Sequence, residues 1–390
     1  MVSLIALFVP LVALWLWHPL WRVHKPWYAG AVGLSVFVGV SPALLIWASR
    51  STSWSYSVIA PMQAVSGGLF AALGMCVLFA LLRDVLWLVL RVVGARAGAA
   101  ALQAPRWSFA ALVVSLLLSA YGLVQGLKVP QVHEQTITLP RLPSELDGLR
   151  IAVLADIHAT RVNNADYVRE VVARTNATQP DLIVLPGDMV DGDAPTQAGN
   201  IAPLADLHAP YGVWASPGNH EYYSGYNAWA KVYGALRLNF LANTVRVLEV
   251  RGKRLAISGV GDPAYGRLSQ QNTDPTQPEG VPPDIDQVSQ QLQHAGGADV
   301  HILLGHQPKM ARSYAPHGVD LQIAGHTHGG HIVGMDRWLV APANDGFVRG
   351  LYSVGPMQLF VSSGAGLWPG FALRIGVPSS IDVLVLRSGA

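Results

Sequence analysis

Cysteine is almost missing from this chain: there is one, Cys76, inside an apolar run. No intrachain disulfide can form, the redox compartment stays open, and no thiolate pair is on hand for a soft metal. Charge is scarce as well. Only 13% of the 390 residues are Asp, Glu, Lys or Arg, against about 25% in ordinary soluble domains. Acids are rarest in the first third. Residues 1–128 carry eight bases and a single acid, Asp84, whereas residues 129–390 carry 18 bases and 23 acids, a net of −5. A basic, apolar part therefore precedes an acidic one. The acidic part argues against bulk nucleic-acid binding, which needs clustered cations to neutralise backbone phosphates. Internal repeats and low-complexity tracts are absent too.

What the first third does have is long uncharged runs: Met1–Trp21, Pro26–Ser49, Ser51–Leu82 and Trp107–Leu127. Each can supply roughly 20 apolar residues, enough to cross a hydrocarbon core as a helix. The expected spans are residues 1–21, 27–49, 60–82 and 107–127. Tryptophans such as Trp15, Trp21, Trp27, Trp47, Trp54, Trp87 and Trp107 fall near their ends, where amphipathic rings prefer the interface. The first run lacks the basic start and small-residue cleavage site of a signal peptide, so it reads as a retained span. The first short loop holds Arg22 and Lys25, the third holds Arg83, Arg91, Arg96 and Arg106, and the second offers only Arg50. The basic loops should face the cytoplasm, which places the soluble domain outside it. An inner-membrane, multi-pass protein with an extracytoplasmic domain is expected.

Residues 129–148, with Pro140 and Pro143, read as a connector. From 149 onward, short apolar runs alternate with helical stretches. Leu149–Ala155, Asp181–Pro186, Tyr211–Ser216, Arg254–Val260, His301–Gly305 and Leu321–Ala324 look like buried strands, with helices over Asn164–Thr178 and Pro283–His294. That alternation predicts an α/β domain over 149–390.

Five motifs stand where those strands end: Asp156-Ile-His158, Gly187-Asp188-Met-Val-Asp191, Gly218-Asn219-His220-Glu221, Gly305-His306 and Gly325-His326-Thr-His328-Gly-Gly330. In an α/β sheet the crevice lies at the carboxyl ends of the strands, so these side chains aim at one place. Imidazole, carboxylate and amide oxygen together suit Mn, Fe or Zn. Asp191 can serve only as a cap on the following turn, and Glu221 as a partner behind the ligands. His133, His208, His294, His301 and His317 fit no motif and read as surface or core residues.

The five motifs together resemble the calcineurin-like metallophosphoesterase family, over about Leu149 to the C-terminus. Leu139-Pro-Arg-Leu-Pro143, the string Gly325–Gly330 and Arg349-Gly-Leu-Tyr352 are similar to its branch of transmembrane proteins with a metallophosphoesterase domain, and to bacterial exported phosphodiesterases. The resemblance implies two mixed β-sheets sandwiched by helices and two divalent metal ions. One ion would be held by Asp156, His158, Asp188 and His328, the other by Asp188, Asn219, His306 and His326. A hydroxide held between the ions would attack phosphorus, and His220 would protonate the leaving oxygen. The chain departs from the branch at His331, where glutamine is common, and at Pro378-Ser379-Ser380, where a Pro-Glu pair is usual. His331 is a candidate ligand or phosphate contact or else a solvated side chain, and Arg349 and Asp262 are further candidates for substrate contact. Leu367, Trp368 and Phe371 form an aromatic loop that either caps the core or dips into the bilayer.

The expected function is a membrane-bound phosphodiesterase or pyrophosphatase acting on a phosphate ester, lipid-linked or free, with membrane lipids but no nucleic acid as partners. A pyrophosphatase of the UDP-2,3-diacylglucosamine type on the cytoplasmic face and a non-catalytic metal- or phosphate-binding receptor are the alternatives.

Overall fold

A computed structural model describes residues 2–21, 23–51, 56–160, 162–268, 279–368 and 371–389, and Arg22 and Trp54 lie outside the described residues. Two compact units result: Met1–Leu127 with Gly370–Ile375, and Lys128–Pro369 with Gly376–Ala390.

The first unit is helical. Lys25–Leu45, Pro61–Val92 and Pro105–Gly126 are long and apolar enough to cross a membrane. The expected fourth span, over 1–21, is corrected. Its helix, Val2–Leu16, has 15 residues and a separate short turn His18–Trp21 follows it. At 1.5 Å per residue it reaches about 22 Å, short of the roughly 30 Å of a bilayer core. The break falls at Trp17, a turn residue between the two helices. The buried residues of the helix Pro105–Gly126 are Ser108, Ser115, Ser119, Gly122 and Gly126, small side chains that let helices approach closely. Ser119 Oγ donates to Gly68 O at 2.5 Å. Asp84, the lone acid, takes bonds from Arg83 Nε at 2.8 Å and Trp15 Nε1 at 2.9 Å.

The second unit is built on two six-stranded mixed sheets. The strands are β1 (Gln131–Leu139), β2 (Arg150–Val153), β3 (Leu182–Leu185), β4 (Val213–Ala215), β5 (Asn239–Phe240), β6 (Thr244–Val250), β7 (Lys253–Gly259), β8 (Val300–Leu304), β9 (Leu321–Ala324), β10 (Gly350–Val354), β11 (Met357–Val361) and β12 (Ser380–Ser388). One sheet has the order β1-β12-β2-β3-β4-β5, the other β10-β11-β9-β8-β7-β6. The segment expected as a connector thus contains a strand. β1 pairs in parallel with β12 from Gln131↔Ser380 to Leu139↔Ser388, a partner about 250 residues away that no local pattern reveals.

Side chains alternate across each strand, which fixes three apolar layers. Ile151 and Val153 of β2, Leu182 and Val184 of β3, Ile302 and Leu304 of β8 and Leu321 and Ile323 of β9 share one core between the sheets. Ala152, Ile183 and Leu185 turn the other way, onto Val168, Val171 and Val172 of the helix Ala165–Ala177. Leu303 and Ala324 likewise share a cluster with Val288 of the helix Ile285–His294. Because both sheets run parallel at their centres, the carboxyl ends of β2, β3, β4, β8 and β9 open at the same rim.

Candidate metal centre

Each motif begins as its strand ends. Asp156 and His158 follow β2, Asp188 follows β3, Asn219 opens the helix Asn219–Tyr223 after β4, His306 follows β8, and His326 and His328 follow β9. The two sheets are stitched there. The backbone N–H of His326 donates across them to Asp156 Oδ1 and Oδ2 at 2.9 and 3.0 Å, while within the first sheet's rim that of His220 donates to Asp188 Oδ1 at 2.8 Å.

The backbone is strained at these positions. Asp156, His158, Asp188, His326, His328 and His331 all have positive φ, between 44° and 73°, a region costly for side chains with a Cβ. The surrounding glycines make room for the carboxylates. A methyl group on Gly218 would lie 2.3 Å from Asp188 Oδ1, and one on Gly325 2.3 Å from Asp156 Oδ2.

Two sets of donors converge. Atoms of Asp156, His158 and His328 lie within 4.8 Å of one another, as do atoms of Asp188, His306 and His326. Asn219 Oδ1 joins the second set at 2.8 Å from His326 Nδ1. Asp188 Oδ2 stands between the sets, 3.1 Å from His306 Nε2 and 3.7 Å from His158 Nε2.

Several of these atoms approach one another closely enough to need a proton or a cation between them. His158 Nδ1 is 3.1 Å from both Asp191 oxygens, which assigns its proton to Nδ1 and leaves Nε2 an acceptor. His306 Nδ1 sits 2.9 Å from Pro186 O, so its Nε2 is an acceptor as well. That Nε2 is buried, has no hydrogen bond and points at a carboxylate. His158 Nε2 faces His328 Nε2 at 3.0 Å. Acceptors this close repel unless a cation or a proton lies between them. Divalent cations fit this donor set.

The electrostatics express the same need. Burial pushes His306 down, but the charges of Asp188, Asp156 and Asp262 and the bond to Asp188 together lift the imidazole to about 10. Burial raises Asp188, yet His306, His220 and His158 hold it well below the usual carboxylate range. His326, buried and beside His306, falls to about 3. In other words, protons on some imidazoles neutralise the acids where metal charge otherwise would.

Asp191 does more than cap a turn. It contacts His158 and also accepts a short bond from His220 Nδ1. His220 is 21% exposed at its side chain, whereas His158, His306 and His328 are each at 1%. Glu221 is wholly buried. Its carboxylate accepts the backbone N–H groups of Asp188 at 3.0 Å, Met189 at 2.9 Å and Gly218 at 2.7 Å, and the Tyr233 hydroxyl at 2.9 Å. It thereby ties the second motif to the third.

The outlying candidates are placed as follows. His331 is fully buried, which corrects the solvated alternative. Its ring stacks on Trp368 at 4.6 Å and lies 5.0 Å from His328. In the aromatic loop Leu367 is buried and Trp368 is half-buried against the histidines, which fits the core-capping alternative for those two residues. Phe371 belongs to the helical unit. Arg349 donates to Gly329 O at 2.6 Å and pairs with Asp336 at 2.9 Å, gripping the loop beside His328. Asp262 is buried, accepts from Gln307 at 2.7 Å, and is pushed up to about 6 by burial. Sequence reasoning missed the double contact of Asp191 and the Trp368 stack; the spacing of the two aspartates in Gly187–Asp191 was the one available signal.

Residues 149–330 match the family described as calcineurin-like phosphoesterase. An uncharacterized metallophosphoesterase of Campylobacter jejuni is 32% identical over 283 residues, 71% of this chain and 68% of that protein. A transmembrane protein with metallophosphoesterase domain from Bos taurus is 29% identical over 290 residues, 71% of this chain and 62% of its own length. A calcineurin-like phosphoesterase structure from Bacillus subtilis has 16% identity and a TM-score of 0.38, covering 55% of this chain and 81% of that one. A TM-score of that size carries no functional weight.

Proposed function

Because this chain belongs to the calcineurin-like phosphoesterase family, we propose that it is a membrane-bound, dinuclear metal-dependent hydrolase of phosphodiesters or pyrophosphates. Asp156, His158, Asp188 and His328 would hold one divalent cation, and Asp188, Asn219, His306 and His326 the other. The observation that carries this is the convergence of ligand atoms from five strand ends, with His306 Nε2 3.1 Å from Asp188 Oδ2 and His158 Nε2 3.0 Å from His328 Nε2. When bound, Mn, Fe or Zn supplies Lewis acidity, lowering the pKa of a water and neutralising phosphoryl oxygens.

The chain's own residues do the rest. Asp191 fixes the tautomers of His158 and His220, so that each turns Nε2 toward the site. Of the two imidazoles that Asp191 backs, His220 is the one that reaches solvent, which suits proton donation to the departing oxygen. The substrate is an envelope or lipid-linked phosphate compound, reached from the extracytoplasmic side of a multi-pass inner-membrane protein. The three apolar helices support the membrane part of this reading, and the paucity of acids among residues 1–128 fits it.

The test is metal analysis of the purified full chain with hydrolysis of diesters, monoesters and nucleotide-lipid pyrophosphates. Asp188→Asn should lose metal and turnover together. His220→Ala should keep metal and lose rate, most on poor leaving groups. Turnover that survives complete chelation would sink the proposal.

A further inference from the structure

In the phosphoesterase unit, the large apolar side chains exposed among the described residues are Val132, Tyr223, Val333, Trp338, Leu339 and Leu351. Three of them fall within seven residues: Val333 is 62% exposed, Trp338 81% and Leu339 62%. This segment begins right after the loop that carries His326 and His328. Single exposed apolar residues are ordinary, but a clustered tryptophan and two aliphatics are not.

The cluster is held firmly. Asp336–Val340 forms one π-helical turn, a rare conformation that concentrates at functional sites. Asp336 Oδ1 accepts the N–H groups of Gly334 and Arg337, each at 2.8 Å. Arg349 clasps the turn to the metal loop, reaching Asp336 with one nitrogen at 2.9 Å and Gly329 O with the other at 2.6 Å. The packing is so close that a methyl on Gly330 would meet Asp336 Cα at 2.5 Å. Val340 anchors the turn in the interior, while Trp338 and Leu339 point outward.

We infer that Val333, Trp338 and Leu339 are a wedge that inserts into a lipid surface and presents the metal loop to phosphate esters held there. A lipid surface is the occupant for three reasons. The same chain carries three helices long and apolar enough to span a membrane, so that surface is tethered at high effective concentration. Tryptophan flanked by an exposed cation, here Arg337, suits the headgroup boundary and anionic lipid. Three side chains also make too small a patch for a stable protein interface of about 800 Å² per partner. The inference rests on the proposed hydrolase reading for what is presented, but its first test does not.

The full chain, in a Cys76→Ser background, is reconstituted into phosphatidylcholine–phosphatidylglycerol vesicles. An NBD fluorophore is placed at Trp338→Cys or, as control, at Leu351→Cys. Quenching by doxyl-labelled lipid at 338 but not at 351 is the expected result. Equal quenching at both sites, or none at 338, overturns the wedge. Excimers from pyrene at 338 would assign the patch to a second copy and overturn it as well. The second test compares p-nitrophenyl phosphatidate embedded in the vesicles with soluble bis(p-nitrophenyl) phosphate. Trp338→Ser with Leu339→Ser should slow the embedded ester by about tenfold or more, the scale of losing one inserted apolar side chain, and leave the soluble ester unchanged. Equal slowing of both, with metal content intact, overturns the inference. Quenching at 338 in a protein that hydrolyses neither ester would instead fail the hydrolase reading and leave the wedge standing.

Discussion

Replacing Asp191 by asparagine changes one atom and should disable two histidines. Its carboxylate faces His158 Nδ1 at 3.1 Å through both oxygens and takes a short bond from His220 Nδ1. Asparagine keeps the shape but presents one acceptor and one amide donor. At least one imidazole then meets N–H with N–H and turns over to the other tautomer. If that is His158, its Nε2 no longer offers a lone pair to a cation, and loss of a buried carboxylate behind a ligating histidine costs about 10–100-fold in metal affinity. If it is His220, the charged imidazolium loses the carboxylate that stabilises it, so less of the acid form is present to donate a proton, and general-acid loss costs about 10²–10⁴-fold in rate. A hundredfold fall corresponds to roughly 2.7 kcal/mol of barrier. The assay is turnover at saturating Mn on two diesters, one with a p-nitrophenyl and one with an alkyl leaving group, beside metal content. The alkyl ester should suffer more, because it needs the proton. An Asp191→Asn protein with normal metal affinity and equal rates on both esters would refute the reasoning.

Gly218→Ala places a methyl group 2.3 Å from Asp188 Oδ1; it should displace that carboxylate, destabilise the fold by about 1–3 kcal/mol, and lower metal content measured by elemental analysis. Trp368→Ala removes the ring stacked on His331 and should weaken metal binding more than it weakens vesicle association, read by chelator competition. His301 is pushed down to about 4 by burial, against about 6.5 in an unfolded chain. The unfolded state therefore binds its proton first, so the stabilisation is complete above about pH 6.5 and is lost as pH falls toward 4, by at most about 3 kcal/mol. In His301→Asn, thermal unfolding of the detergent-solubilised chain should show a flatter acid limb over that window.

Some of the protein could be read directly from its residues because the cause was local. Ile151–Val153, Leu182–Leu185, Ile302–Leu304 and Leu321–Ala324 are apolar runs bounded by polar turns, and each is a buried strand. The motif residues follow those strands, so their convergence needed only the rule that crevices form at strand ends. Elsewhere a local reading fell short. An uncharged run from Met1 to Trp21 looked like a span, but its helix ends at Leu16 and the chain turns at Trp17. His331 could be read as a ligand, a phosphate contact or a solvated side chain, and only its neighbours, ring systems brought in from residues 328 and 368, rule out the last.

The amino-acid order by itself determined six of the strands, three apolar helices and the kinds of ligand, since hydropathy period and donor chemistry are properties of neighbours in the chain. Only the tertiary structure decided which atoms face which. It turned Asp191 to two histidines, bound Glu221 to three backbone amides, and drew β1 beside β12. It also left Trp338 in the open while it buried Leu367. Those outcomes depend on contacts between residues tens to hundreds of positions apart, and on left-handed backbone at Asp156, Asp188 and His328 that only the surrounding packing can hold.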